Sequence, residues 1–191
     1  MADPTLTEPS EPSRPAGLVL RRAVPDDVDA LVALICEAYL VERYFVSGPR
    51  TDRAEIEDLM RRGEFLVLEV GGRLIASVYL EERAPSALPA GSALERVGYF
   101  GLLSVDPSEQ GAGLGRRLVG EAESWSRARG LGALELWTVD LRRELRSWYA
   151  RLGFREVGTA RFEAPDRRLR PCHSVVRRER HGGCARATAA G

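Results

Sequence analysis

YFGLLSVDPSEQGAGLGRR, residues 99–117, decides how the rest of the chain is arranged. Its first part is apolar and reads as a buried strand, which Asp106 and Pro107 end. Gly111, Gly113 and Gly115 then lead into a charged amphipathic segment. A strand that passes through a glycine loop into a helix makes an anion site. The first N–H groups of the helix lack intrahelical acceptors, and the helix dipole adds positive charge there. Glycines leave that main chain open to a ligand. Spacing narrows the choice of ligand. A Walker A loop needs Gly-Lys-Ser/Thr, and the chain has no lysine. The dinucleotide fingerprint G-x-G-x-x-G finds Gly111 and Gly113, but its third glycine falls on Arg116, too large for close helix–strand packing. Glu135 stands about where its ribose-binding acid would be, yet inside an apolar run. A dinucleotide-dependent oxidoreductase is therefore kept as a minor alternative.

Gln110-x-x-Gly113-x-Gly115 fits a different pattern. It resembles motif A of the GNAT superfamily, the acetyl-CoA-dependent N-acetyltransferases, whose signature is Gln/Arg-x-x-Gly-x-Gly/Ala between a strand and a helix. A second stretch, residues 141–154, LRRELRSWYARLGF, resembles motif B of the same family, which ends Tyr-x-x-x-Gly-Phe. Tyr149, Gly153 and Phe154 match in order, whereas the usual Asn-x-x-Ala opening is replaced by Arg142 and Leu145. The resemblance covers residues 17–179. It implies an α/β (α+β) GNAT fold: a mixed central sheet of about six to seven strands with about four helices, two parallel strands splaying apart at the acetyl-CoA site.

What the resemblance implies for chemistry is specific. The backbone of Leu103 and Val105 would bind the pantetheine arm of acetyl-CoA. Gln110, Gly111, Ala112, Gly113, Leu114, Gly115 and Arg116 would grip its pyrophosphate. Tyr149 would be the general acid that protonates the leaving thiolate, a task suited to a phenol of pKa about 10. The amide of Val105 is the positional candidate for the oxyanion. The reaction would be direct attack on acetyl-CoA, within a ternary complex, by a primary amine on a small molecule or peptide, with no metal. Family members that use a glutamate base on the central strand carry it where this chain has Tyr99. Glu37, Glu42, Glu81, Glu82 and Glu95 are nearby in sequence or on the acceptor side, each reads as a solvated acid, and none is assigned. The alternative from another class is a module that holds acyl-CoA without turnover. Dimers are common in the family, so a homodimer is among the assemblies it implies.

Composition excludes some partners. The 28 basic residues are all arginine and balance 28 acidic ones, so no global charge invites nucleic acid or a membrane surface. No apolar run approaches the roughly 18 residues of a membrane span. The N-terminus has no signal-peptide core, and a cytoplasmic protein is expected. Cys36, Cys172 and Cys184 are scattered; Cys172-His173 and His181 with Cys184 lack the paired spacing of a structural zinc site. Residues 1–16, with four prolines and three acids, predict a disordered leader. Residues 17–179 then form one domain, and residues 180–191 a flexible tail.

In chain order, a strand is predicted over 17–23. A helix opens at Pro25-Asp26-Asp27, with Val28, Leu31, Val32, Ile35 and Tyr39 as its apolar face. A second helix covers 51–62, acids early and Arg61, Arg62 late, as a helix dipole favours. Between them, Tyr39, Glu42, Arg43, Tyr44 and Phe45 either contact the acceptor or pack on the core. A hairpin turns at Gly71-Gly72 between 65–70 and 74–80, and 81–94 reads as a loop. The central strand covers 97–105. The helix after the glycine loop buries Leu114, Leu118, Ala122 and Trp125 and stops at Gly130. A strand over 131–139 should lie parallel to the central one. Strands over 155–162 and 172–178, joined by a charged loop, close the domain.

Overall fold

The computed structural model describes residues 17–42, 49–86, 95–139, 142–161 and 172–179. The expected leader, tail and loop 163–171, with Arg43, Tyr44, Phe45 and Cys184, lie outside the described residues. The first strand, β1 (Val19–Arg22), leads through a short 3₁₀ turn into α1 (Val28–Ala38). Asp27 fixes that junction: its carboxylate accepts from the Val24 amide at 2.8 Å and from Arg21 Nη1 at 2.6 Å. Helix α2 (Arg53–Arg62) starts on Asp52, whose side chain accepts from the Glu55 amide at 2.9 Å. It ends at Gly63, where a Cβ would lie only 2.2 Å from the Leu80 carbonyl oxygen. Strands β2 (Glu64–Val70) and β3 (Arg73–Arg83) form the expected hairpin, with Gly71 at φ 57° and Gly72 at φ 81°. Two successive positive φ angles suit the twist of a two-residue hairpin turn.

Strand β4 (Val97–Val105) precedes the glycine loop and α3 (Leu114–Ala128) follows it; then come β5 (Ala133–Val139), α4 (Arg143–Arg151), β6 (Arg155–Arg161) and β7 (Cys172–Glu179). The seven strands form one sheet in the order β1-β2-β3-β4-β5-β7-β6, antiparallel throughout except for β4 beside β5. That parallel pair is short. It joins Gly98 to Leu134 and Tyr99 to Glu135, and beyond these residues the strands carry no pairing. Each face of the sheet has its own core: Leu118, Trp125, Leu136, Tyr149 and Phe154 on the α3–α4 face, and Leu31, Ile35, Ile56, Phe65 and Tyr79 on the α1–α2 face.

One boundary differs from the sequence reading by more than two residues, and one helix face is drawn differently. Strand β3 continues through Glu81, Glu82 and Arg83, which composition assigned to a loop. Those charges are tolerated because each has a partner: Arg62 for Glu81, Arg96 for Glu82 and Glu135 for Arg83. On α1, Leu34 joins the buried face, whereas Val32 and Tyr39 are only half-buried. No helix among the described residues is long and apolar enough to cross a membrane. Among those residues no group of three His, Cys, Asp or Glu gathers in a form that could hold a metal.

Candidate active site

The gap that opens between β4 and β5 is where backbone groups lose their ladder partners. The Asp106 amide donates to the Ile75 carbonyl at 2.9 Å. Successive residues of a strand turn their N–H and C=O to alternate edges, so those of Val105 point away from β3 and toward the gap. Ser104 pairs with Ser77 on the β3 side, which leaves Leu103 facing the gap as well. Both strand residues named for the arm of acetyl-CoA therefore lie on the open edge. Between them and Gly101 the strand bulges: Ser77 and Tyr79 are separated by one residue on β3, their partners Ser104 and Gly101 by two on β4. Leu102, in the bulge, has φ 48°, the only non-glycine positive value among the described residues. A left-handed leucine costs about 1–2 kcal/mol, and such strain gathers at functional sites. Nothing in an apolar run marks Leu102 in advance, although the isolated Gly101 beside it is a signal of a bulge or of close approach.

The loop after β4 divides its glycines between two tasks. Gly111 at φ 87° and Gly113 at φ 78° supply the left-handed turns, and a Cβ on either would meet open space. Gly115 sits in the first turn of α3 between Val105 and Trp148, each 3.8 Å from the place of a Cβ. The first intrahelical bond runs from the Arg117 amide to the Gly113 carbonyl at 3.0 Å. The amides of Leu114, Gly115 and Arg116 precede it and have no helical acceptor. A pocket of about 270 Å³ opens here, its wall including Val105, Gln110, Gly113, Gly115, Arg116 and Trp148. Ala112 instead packs against the core, and the Leu114 side chain is buried in it. Gln110 folds back, its Nε2 donating to the Val105 carbonyl at 3.3 Å. Trp148 is half-buried and forms one wall of this pocket.

Tyr149 comes from α4 and is buried on the α3–α4 face of the sheet. Its ring lies 6.0 Å from Phe100, 5.8 Å from Phe154 and 4.8 Å from Trp148 between centroids. Burial pushes its phenol well above the ordinary value; Tyr39 and Tyr99 push it the same way and Arg142 opposes them. Tyr149 and Tyr99 belong to opposite faces of the sheet. Tyr99 is also pushed up by burial, opposed by Arg83 and Arg50. Its hydroxyl lies over Gly101, 2.6 Å from where a Cβ would stand.

The acids fall into place differently. Glu81 is directly opposite Tyr99 across the β3–β4 ladder and pairs with Arg62 at 3.6 Å. Glu135, weighed as a ribose-binding acid, is fully buried. It accepts from Arg177 at 3.0 Å and from the Ser86 amide at 3.1 Å. A carboxylate so enclosed is not available to a ribose.

Relatives agree with this geometry. Ard1 from Thermoplasma volcanium superposes with a TM-score of 0.66 at 17% identity, covering 86% of this chain and 98% of that one. The ribosomal-protein-S18-alanine N-acetyltransferase from Escherichia coli gives 0.62 at 18% identity, covering 84% and 92%. These likenesses define the fold, a sheet split at a parallel pair with a glycine loop at its open end. In sequence, mycothiol acetyltransferase of Cellulomonas flavigena is 30% identical over 182 residues, 91% of this chain and 51% of that protein. The chain spans about half the length of the curated relatives it matches. The model of the Acetyltransferase (GNAT) family matches residues 30–154, and the chain belongs to that family.

Proposed function

We propose that residues 17–179 form an N-acetyltransferase domain that moves the acetyl group of acetyl-CoA to a primary amine. The observation that carries this reading is the continuity of the pocket beside Gly115 with the unpaired edge of β4. One offers the unpartnered amides of Leu114, Gly115 and Arg116, which suit a diphosphate in charge and direction. The other offers the N–H groups of Leu103 and Val105 and the carbonyl of Leu103, which suit an amide-bearing arm. Bound there, acetyl-CoA supplies a thioester carbonyl activated for attack by nitrogen.

The chain's own groups have distinct tasks. Loop and strand hold the two substrates in one orientation, and proximity of this kind removes much of the barrier. The Val105 amide is the donor proposed for the oxyanion. Tyr149 keeps its proton because burial raises its pKa, and donates it to the sulfur as the C–S bond breaks; the proton that the attacking nitrogen loses leaves through water and restores the phenol. Burial in the same gap raises the proton affinity of a thiolate too, so the two remain matched. The acceptor is an amine on a small molecule or a peptide, the cytoplasm its setting, and a homodimer the assembly family precedent suggests.

The test is thiol release from acetyl-CoA over an amine library, run with the unaltered protein and with Tyr149→Phe. The variant should lose about 10²- to 10⁴-fold in kcat while binding acetyl-CoA as before. Equal activity in the two proteins would remove Tyr149 from the chemistry; no release with any amine would favour a binding module.

A further inference from the structure

Two arginines on the Tyr99 side of the sheet stand over aromatic rings. The Arg83 guanidinium carbon is 3.4 Å from the Tyr99 ring centroid and 5.0 Å from that of Trp137. Of its five donors, Nη2 reaches Ser86 Oγ at 2.9 Å and Glu135 at a long 3.4 Å. Its Nε is shielded from solvent and has no acceptor among the described residues. Arg50 lies 5.0 Å over the Tyr39 ring and has no acidic partner among the described residues. Both guanidiniums act on the same hydroxyl, that of Tyr99. Of the nearby carboxylates among the described residues, Glu135 is shared between Arg177 at 3.0 Å and Arg83 at 3.4 Å, and Glu81 pairs with Arg62 at 3.6 Å. What remains on this side is positive, aromatic-floored and rich in free N–H groups.

Accepting the acetyltransferase reading, we propose that the acceptor is an amine that also carries a carboxylate, held by Arg83 and Arg50. A guanidinium fixed by an aromatic face keeps its planar fork in place, and that fork matches the two oxygens of a carboxylate. The position agrees: the Arg83 guanidinium stands over the ring of Tyr99, whose hydroxyl lies over Gly101 beside the Leu102 bulge. The carboxylate neutralises a site that is otherwise left with excess positive charge. It also orients the nitrogen toward the gap.

The experiment offers free amino acids with one to four carbons between amine and carboxylate, each beside its carboxamide, and compares kcat/KM by thiol release. Free acids should be preferred by about ten- to a hundredfold, as hydrogen bonds to a charged group predict. Arg83→Gln should bring that ratio to within about threefold of unity, and Arg50→Gln, at a half-exposed residue, should lower it in the same direction. Amides acetylated as well as acids, no turnover of either, or a ratio unchanged in both variants would overturn the proposal. Titration with acetyl-CoA alone, followed by tryptophan fluorescence, separates the two levels. Binding without acid preference overturns only the carboxylate, whereas no binding overturns the enzyme and this inference together.

Discussion

Gly115 illustrates how one side chain, or its lack, governs a binding surface. An alanine fits, because Val105 and Trp148 are both 3.8 Å from its Cβ, ordinary contact distance. A branched side chain does not, since it fills the space that the pocket leaves between them. Gly115→Val is therefore expected to weaken acetyl-CoA binding at least about tenfold, or 1.4 kcal/mol. Its circular dichroism spectrum should be unchanged; undiminished affinity would mean that the diphosphate lies elsewhere. The glycines were legible in the sequence as a set, but not their division of labour. Gly111 and Gly113 serve backbone angles and Gly115 serves space, and only coordinates separate the two. Trp148 escaped for a related reason. Its i to i+3 spacing from Leu145 is that of a core stripe, and the same spacing holds for a residue at the stripe's edge that faces a cleft.

Elements were more legible than their ends. The glycine pair of the β2–β3 hairpin and the Gly130 stop after α3, at φ 70°, both work locally, so local pattern reveals them. The end of β3 is set from outside, by partners on α2 and β5 that hold Glu81 and Arg83 in the sheet. Gly63 tests this dependence on neighbours. Its position after α2 looks like a simple helix stop, but its backbone is extended and the site abuts β3. Gly63→Ala would bring Cβ within 2.8 Å of the Tyr79 hydroxyl as well as against the Leu80 carbonyl. We expect a loss of about 1–3 kcal/mol. In a thermal melt that is a fall of about 3–10 °C for a chain of this size. An unchanged midpoint would mean that helix and strand part without cost.

The whole molecule is two half-sheets, β1 to β4 and β5 to β6, held by a short parallel joint and by charges that cross it. Arg83 of β3 reaches Glu135 of β5, which is bound in turn by Arg177 of β7. At the far edge, Asp27 ties β1 to α1 with its carboxylate held below the usual range by Arg21. A depressed folded pKa contributes stability above the unfolded value of about 3.9, and that contribution is lost as the pH falls through the folded value. Asp27→Asn should therefore be less stable at pH 7 and show a shallower decline below about pH 4. Parallel acid-unfolding curves of equal slope would contradict the pairing. On the proposed reading the split sheet also gives a ligand a bearing on the fold as a whole: an arm along Leu103 and Val105 would supply partners that β5 withdraws. The most direct test is calorimetric titration of the unaltered protein with acetyl-CoA. One-to-one binding with Kd within about 1 μM to 1 mM is expected, with a stabilisation of about 2.7 kcal/mol at a hundredfold excess over Kd. No heat and no rise in melting temperature at millimolar acetyl-CoA would contradict it.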